Sequence, residues 1–173
     1  TCELRGYQGD AVGAWWARGA AVGGNGVLVL PCGAGKTVIG LAALVQCGVE
    51  TLIVATNISA VRQWIRELLD KTDLDPSLVG EYSGDRKEIR PVTVATYQVL
   101  TWATPGVGPE ADLFERHPHL ALFDRQQWGL VIYDEVHLLP APVFRATAHI
   151  QAVRRLGLTA TLVREDGRES DVF

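Results

Sequence analysis

Five consecutive residues, Gly33-Ala34-Gly35-Lys36-Thr37, have the types and the order that phosphate binding requires. The two glycines permit the positive φ angles and the close backbone approach that a loop around phosphates needs. Backbone N–H groups from Gly33 to Lys36 would surround the phosphates, and the Lys36 ammonium would reach the β- and γ-phosphates. The Thr37 hydroxyl would ligate Mg²⁺. The segment therefore predicts a phosphate-binding P-loop.

The flanking residues supply the elements that such a loop needs. The apolar run Val27 to Leu30 predicts a buried parallel strand, and an amphipathic helix is predicted from about Lys36 to Gln46, with Gly48 as its C-cap. The usual motif begins with a glycine five residues before its second glycine, and Leu30 occupies that place. Because strand, loop and helix are in register, a P-loop is favoured over a chance Gly-Lys-Thr at a helix start.

A second polar segment, Asp134-Glu135-Val136-His137, follows the apolar run Trp128 to Tyr133. Asp134 would hold Mg²⁺ opposite Thr37, and Glu135 would orient and deprotonate the attacking water. Two solvated acids at a strand end are the commoner case when taken alone. A P-loop upstream in the same strand–helix pattern favours a Walker B pair. His137 by itself indicates no more than a structural histidine.

A third polar segment, Thr159-Ala160-Thr161, ends the last predicted core strand. It lies close to Asp134 if the two strands are neighbours. The hydroxyls would then transmit a nucleotide-dependent change to a second binding site, or they would cap the strand end. Sequence spacing leaves both interpretations open.

Apolar strands alternate with helices along the chain, which predicts an α/β fold with a mostly parallel sheet sandwiched between helices. Ligands in such folds bind at the carboxyl ends of the strands, where each of the polar segments falls. The predicted strands are Val27–Leu30, Thr51–Ala55, Leu78–Tyr82, Val92–Thr96, Trp128–Tyr133 and Arg155–Thr159, and the predicted helices are about Gln8–Val22, Lys36–Gln46, Ile58–Leu69, Tyr97–Ala103 and Pro142–Ala152.

The pattern is lost between residues 104 and 127, which contain Pro105, Pro109 and Pro118. One helical turn is predicted around Leu113 to Arg116. We expect this segment to be an insertion on the surface.

Length and composition fit a single globular domain of 173 residues that buries roughly 70% of its unfolded surface. The net charge of −4 does not indicate a nucleic-acid-binding protein. It does not exclude one either, because phosphate contacts can be local. No apolar run approaches the ~20 residues that cross a bilayer, so no membrane association is predicted. The cysteines Cys2, Cys32 and Cys47 have no metal-ligand spacing, which fits a reducing cytosolic setting.

Taken together, the P-loop, the DEVH segment and the TAT segment resemble motifs I, II and III of superfamily-2 helicases. The XPB family of DNA-repair helicases is similar over essentially the whole chain, and its prokaryotic branch most of all. The resemblance is carried by LPCGAGKT at Leu30 to Thr37, DEVHLLPA at Asp134 to Ala141 and LGLTATLVRED at Leu156 to Asp166. The last segment contains the RED element of that family, which is implicated in unwinding.

The resemblance implies a RecA-like P-loop NTPase domain that binds ATP and Mg²⁺ and acts on DNA. Catalysis would rest on Lys36, Asp134, Glu135 and His137. Arg5, Tyr7 and Gln8 resemble the Q-motif, which contacts adenine in such enzymes, and of these Gln8 and Arg5 would contact adenine and a nearby phosphate. The phosphates and Mg²⁺ would be held by Gly33, Ala34, Gly35, Lys36 and Thr37.

Further residues are implied in DNA binding and in coupling. Thr56, Asn57, Thr96 and Tyr97 stand where the family lines its DNA path, and a helix N-cap is the alternative role of Thr56 and Asn57. His137 and Thr159 to Thr161 would couple hydrolysis to motion. Arg164 is the natural phosphate contact of the RED element, and we expect Glu165 and Asp166 to pair with a basic surface on a second domain.

The function implied is ATP-driven 3′-to-5′ DNA translocation or unwinding in repair. Superfamily-2 enzymes bind ATP between two RecA-like domains, and after Thr161 only twelve residues remain. We therefore expect the chain to be the first motor domain, with weak nucleotide binding, little turnover and no unwinding by itself. The expected partners are single-stranded or forked DNA, the second RecA-like domain and a nuclease or repair complex. The expected location is cytoplasmic and nucleoid-associated, or nuclear in a eukaryote.

Two alternatives stay open. One is a double-strand DNA translocase of the restriction or remodelling type, which shares motifs I to III but should lack the LVRED run. The other is an ATP-gated DNA- or protein-binding module without productive hydrolysis, against which the intact Lys36, Asp134 and Glu135 argue.

Overall fold

Six strands form one parallel sheet in the computed structural model, which describes residues 3–16, 24–149 and 154–160. The sheet order is β1-β6-β5-β2-β4-β3, and each described ladder is parallel. The predicted α/β class is thereby confirmed. Because the strands are parallel, their carboxyl ends lie at one edge of the sheet. The strands are β1 (Asn25–Val29), β2 (Thr51–Ala55), β3 (Val79–Tyr82), β4 (Val92–Thr96), β5 (Leu130–Asp134) and β6 (Arg154–Thr159).

Helices follow most of the strands, close to where the sequence predicts them. The described part of α1 ends at Trp16 and that of α6 at His149, so the predicted ends at Val22 and Ala152 lie outside the described residues. None of the described helices combines the length and the apolar character needed to cross a bilayer. The helices are α1 (Gly6–Trp16), α2 (Lys36–Cys47), α3 (Ile58–Lys71), α4 (Tyr97–Leu100), α5 (Leu113–Arg116) and α6 (Ala141–His149), and 3₁₀ turns span Pro76–Leu78, Pro118–Asp124 and Val136–Leu138.

Alternation along β2 divides the core into two layers. Ile53 and Ala55 face α1, α2 and α3, whereas Leu52 and Val54 face the layer that contains α4 and the turn Pro118–Asp124. Each residue of β2 and of β4 is buried, as expected for parallel strands that are covered on both faces. The sheet is therefore sandwiched between helical layers, as predicted.

β1 differs from its prediction as a fully buried strand. Its central residues are half-buried, and Val29 is 41% exposed. Within the described residues β1 lies at one end of the sheet and pairs only with β6, so one of its sides lacks a covering strand. The strand still delivers the P-loop to the carboxyl edge of the sheet.

The prediction that residues 104–127 lie on the surface is wrong for the second half of that segment. Residues 105–107, 109 and 110 are exposed, but Leu120, Leu122 and Phe123 are buried in the layer opposite α2 and α3. The Trp128 indole N–H donates to the Leu122 carbonyl at 3.0 Å, which ties this turn to the start of β5. A tight 3₁₀ turn can bury several apolar side chains without the longer helical periodicity that sequence reasoning sought.

This correction predicts unequal effects of two truncations in the same segment. Phe123→Ala should lower the free energy of unfolding by about 3–5 kcal/mol, because it leaves a cavity under the sheet. Val107→Ala, on the exposed half, should change it by no more than about 0.5 kcal/mol. Urea denaturation followed by circular dichroism measures both. If Phe123→Ala lowered the free energy of unfolding by less than about 1 kcal/mol, Phe123 would not be buried and the segment would lie on the surface.

Candidate nucleotide-binding and hydrolysis site

The P-loop has the backbone geometry that its glycines predict. Gly33 has φ 81° and Gly35 has φ 77°, both in the left-handed region that strains other residues. Gly35 is the N-cap of α2, and a Cβ at this position would lie 2.7 Å from Gln8 Nε2. The N-terminus of α2 thus opens on the loop, where its free N–H groups favour an anion.

α1 holds the loop from one side. Tyr7 Oη and Gln8 Nε2 both donate to the Ala34 carbonyl, at 2.8 and 3.0 Å. Gln8 is 5% exposed, and its Oε1 accepts from the Arg5 backbone N–H at 3.0 Å. The structure therefore shows Gln8 positioning the P-loop, and the contact of Arg5 and Gln8 with adenine stays a prediction. The resemblance placed Tyr7 in the Q-motif but did not predict the hydrogen bond of its hydroxyl to the P-loop backbone.

Glu135 and Lys36 meet at the centre of the site. Lys36 Nζ lies 3.0 Å from Glu135 Oε1, and both side chains are largely buried. Glu135 has φ 49° and ψ 56°, the only positive φ among the non-glycine residues that are described. Such strain persists only where surrounding contacts enforce it, and here the strained residue is a predicted catalytic base. Its second oxygen, Oε2, is buried without a hydrogen-bond partner among the described residues.

Asp134 ends β5 and is anchored by residues of two neighbouring elements. Trp64 Nε1, from α3, donates to Asp134 Oδ2 at 3.0 Å, and Tyr97 Oη donates to the Asp134 carbonyl at 3.1 Å. Burial raises the pKa of the Asp134 carboxyl above its usual range; the Trp64 hydrogen bond opposes this, Glu135 raises the pKa further and Lys36 lowers it. Sequence reasoning missed Trp64, which lies one helical turn beyond Val61 on the buried face of α3.

The raised pKa gives Asp134→Asn opposite effects on stability and function. Because the folded-state pKa lies above the unfolded value, the carboxyl's contribution to stability is full at low pH and is lost as pH rises through the folded-state pKa. The asparagine side chain of the variant does not ionise, so its contribution to stability does not fall as pH rises. At pH 7.5 Asp134→Asn should therefore raise the free energy of unfolding by about 0.5–2 kcal/mol, as at other functional sites where stability is traded for activity.

Thermal or urea unfolding between pH 4 and pH 8 measures this difference. The gap between the variant and the wild type should widen as pH rises from the unfolded-state pKa through the raised one. A gap that narrows over this range would contradict the assignment of an ionised, buried Asp134. Mg²⁺-dependent hydrolysis should be lost in the same variant.

His137 links the Walker B segment to the last strand. Its Nδ1 shares a hydrogen bond of 2.8 Å with Thr159 Oγ1 and lies 3.4 Å from Glu135 Oε2. β5 and β6 are neighbours, with Asp134 opposite Leu158, which confirms the expected proximity of the two polar segments. Thr161 and the RED residues Arg164, Glu165 and Asp166 lie outside the described residues.

The residues predicted to contact DNA occupy the same edge of the sheet with different exposure. Asn57 is exposed and caps α3, its Oδ1 accepting from Ala60 N–H at 2.9 Å, as its alternative role predicts. Thr96 and Tyr97 are buried, and Thr96 Oγ1 accepts from Val99 N–H at 3.1 Å to cap α4. Contacts of these residues with DNA stay predictions.

The parallel order, the P-loop after β1 and the carboxylates after β5 define a RecA-like P-loop domain. Solved structures share this fold at low sequence identity. The UvsW helicase of bacteriophage T4 has a TM-score of 0.74 and 19% identity, with 98% of this chain and 56% of that chain covered. The Hef helicase domain of Pyrococcus furiosus has a TM-score of 0.69 and 20% identity, with 98% of this chain and 35% of that chain covered.

The chain belongs to the family described as "Type III restriction enzyme, res subunit", whose model matches residues 1–164. It is 58% identical to the "DNA 3'-5' helicase XPB" of Mycobacterium tuberculosis, with 99% of this chain and 29% of the relative covered. It is 44% identical to the "Putative DNA 3'-5' helicase Rad25" of Halobacterium salinarum, with 99% and 25% covered. These matches confirm the resemblance to prokaryotic XPB-type helicases. The chain spans less than a third of the length of these relatives.

Proposed function

We propose that this chain is the first RecA-like motor domain of an ATP-dependent DNA helicase, which couples ATP hydrolysis to 3′-to-5′ movement along DNA. The single observation that carries the proposal is the pairing of the P-loop Lys36 with Glu135, 3.0 Å apart, at the carboxyl edge of the sheet. This pairing brings the phosphate-binding cation and the candidate base to one point. The name of the Mycobacterium tuberculosis relative, "DNA 3'-5' helicase XPB", supports the choice of DNA and of direction.

The Lys36–Glu135 ion pair suggests how nucleotide binding prepares the base. The ion pair holds Glu135 Oε1 against Lys36 Nζ at 3.0 Å, so this oxygen is not available to a water molecule while the pair is intact. The ATP phosphates compete for Lys36, and Glu135 is then released to orient the attacking water and take its proton. Glu135 Oε2 is buried and makes no hydrogen bond among the described residues, with His137 Nδ1 3.4 Å away, and this oxygen suits the role of base.

Asp134 and Thr37 are the side chains that would hold Mg²⁺. A carboxylate and a hydroxyl are the hard oxygen ligands that this ion prefers. The Trp64 hydrogen bond to Oδ2 fixes the Asp134 carboxylate, and a cation would offset the cost of burying its charge. When bound, Mg²⁺ neutralises charge that develops on the β- and γ-phosphates.

His137 is the proposed link between hydrolysis and movement. It stands between Glu135 and Thr159, so a rearrangement of Glu135 after loss of the γ-phosphate is transmitted to the end of β6. From there the chain continues into Thr161 and Arg164, which we propose contact DNA or the second domain. Thr56 and Asn57, beyond β2, are proposed contacts to the DNA backbone at the same edge.

Full turnover requires a second RecA-like domain in this proposal. Such a domain would supply an arginine finger to the transition state, an effect that is worth about 10³–10⁵ in rate. The isolated 173-residue chain should therefore bind nucleotide weakly and hydrolyse it little. Single-stranded or forked DNA and a nuclease or repair complex are the further proposed partners, in a nucleoid-associated cytoplasmic setting.

Steady-state ATP hydrolysis with and without single-stranded DNA tests the proposal. The 173-residue chain is compared with the full-length native protein. We expect almost no ATP hydrolysis by the isolated chain and DNA-stimulated ATP hydrolysis by the full-length protein. Robust DNA-stimulated turnover by the isolated chain would show that no second-domain arginine is needed, and silence from both proteins would favour an ATP-gated binding module.

A double-strand DNA translocase is the second candidate function. It is favoured by the family description, "Type III restriction enzyme, res subunit", and by a TM-score of 0.70 to a Sulfolobus solfataricus SWI2/SNF2 ATPase core in complex with dsDNA. Displacement of a triplex-forming strand without separation of a forked duplex would support this candidate over the helicase.

A further inference from the structure

A cavity opens at the carboxyl edge of the sheet, away from the P-loop. Its volume is about 470 Å³, and its lining includes Ile58, Lys87, Gln98, Trp102 and His119. We call it the aromatic pocket. Trp102 is 48% exposed, an unusual position for the most apolar aromatic side chain of the pocket. A large exposed ring beside a cation is a feature of surfaces that bind single-stranded nucleic acid.

Trp102 and His119, the aromatic side chains that line the pocket, form a platform supported by the neighbouring Tyr82. Trp102 and His119 meet edge to face with their ring centroids 5.8 Å apart, and His119 meets Tyr82 in the same manner at 5.7 Å. Tyr82 Oη and His119 Nδ1 share a hydrogen bond of 2.8 Å. The buried His117 Nδ1 donates to the carbonyl of Thr101, the residue before Trp102, at 3.0 Å. These contacts hold the rings in place before a ligand arrives.

The charge of the pocket suits a phosphate. Lys87 Nζ lies 5.6 Å from the centroid of the Tyr82 ring and donates to the backbone carbonyl of Ser83 at the pocket wall. Asp85, an exposed acid of the same turn, is paired with Arg62 at 3.2 Å. Burial and the Lys87 charge lower the pKa of His119, which leaves a neutral ring for stacking.

The position of the pocket connects it with the proposed DNA path. It lies between Ile58, which follows the α3 cap Asn57, and Gln98, which follows the buried pair Thr96 and Tyr97. Both flanking segments stand where DNA contacts are proposed. Gln98 is exposed and adds an amide that can hydrogen-bond a base edge.

We propose that the aromatic pocket binds one nucleotide of single-stranded DNA, with its base stacked on Trp102 and its phosphate contacted by Lys87. This inference rests on the proposed function, because it names the part of this domain that grips the DNA strand. It assigns to Trp102, His119 and Lys87 a role that none of the recognised motifs carries. Stacking on Trp102 would accept any of the DNA bases, since each base presents a π face.

Fluorescence anisotropy of a labelled 20-nucleotide oligo(dT) on the full-length native protein tests this site. Trp102→Ala should weaken binding by between about 5-fold and 150-fold, the effect of one lost base–aromatic stack. Trp102→Phe keeps a ring and should stay close to wild type. Val45→Ala, on an exposed apolar residue of α2 outside the pocket, is the matched control and should leave the affinity unchanged.

Lys87→Gln gives an independent readout that does not depend on Trp102. It keeps a hydrogen-bond donor for the Ser83 carbonyl and removes the charge. The slope of log K against log[salt] should therefore fall in magnitude by about 0.7, the value for one phosphate contact to a single strand. An unchanged slope would exclude Lys87 as a phosphate contact.

Binding of a fluorescent ATP analogue, measured without DNA, distinguishes a failure of the pocket assignment from a failure of the proposed function. It should be unchanged in Trp102→Ala and in Lys87→Gln. If the wild-type protein binds ATP and oligo(dT) and Trp102→Ala binds oligo(dT) within twofold of it, the pocket assignment is overturned and the proposed function survives. A wild-type protein that binds neither ligand would overturn both.

Discussion

Glu135→Gln is expected to reduce ATP turnover by about 10²–10⁴-fold while leaving ATP binding at least as tight as in the wild type. The rate loss is the typical contribution of a positioned general base. The effect on binding follows from the ion pair, since Glu135 Oε1 lies 3.0 Å from Lys36 Nζ and competes with phosphate for this cation. A neutral glutamine releases the ammonium for the phosphates. Single-turnover hydrolysis and titration of a fluorescent ATP analogue measure the two effects separately.

Glu67→Gln is a matched control for this experiment. Glu67 is paired with Lys71 at 2.9 Å on α3, outside the site, so this substitution removes a comparable ion pair without touching the P-loop. It should leave turnover unchanged and alter stability by about 0.3–0.5 kcal/mol. If Glu135→Gln weakened ATP binding as much as it slowed turnover, Glu135 would have a structural role and not that of a base.

Lys36→Ala should abolish DNA-stimulated ATP hydrolysis in the full-length protein, with a loss of about 10³-fold or more. The residue is the cation nearest to the predicted phosphates, and a comparable cation, the arginine finger, is worth about 10³–10⁵ in rate. In contrast to Glu135→Gln, this variant should also bind ATP weakly. The substitution leaves Glu135 without its cation, which is a further difference between the two variants.

Lys71→Ala is the corresponding control, because it removes the lysine of the α3 pair. We expect hydrolysis by this variant to match the wild type. Residual DNA-stimulated turnover above about a tenth of the wild-type rate in Lys36→Ala would contradict the assignment of Gly33 to Thr37 as the phosphate loop. The same assay also separates hydrolysis from a role as an ATP-gated binding module.

Much of the fold follows from local patterns in the sequence. β2 and β4 have the predicted bounds, because short runs of β-branched and apolar residues end at clear turn signals. Gly48 ends α2 in the left-handed conformation with φ 60°, as a C-cap glycine does. The P-loop and the Asp134–Glu135 pair are equally local, since contiguous residues carry their chemistry.

Other features depended on contacts between residues that are distant in the sequence. Trp64 reaches Asp134 across 70 residues, and His137 reaches Thr159 across 22, so no local pattern predicts either hydrogen bond. The burial of Phe123 required the sheet face against which it packs.

The sequence by itself determined the class of the site, because glycine, lysine, threonine and paired carboxylates in these local arrangements have few other chemical uses. Only the tertiary structure decided how these groups are connected. It showed that Lys36 is held by Glu135, that Gln8 supports the P-loop backbone, and that Trp102 joins His119 at a separate pocket. The physical reason is that strand order and sheet packing bring side chains together from separate segments, and a linear pattern does not encode those distances.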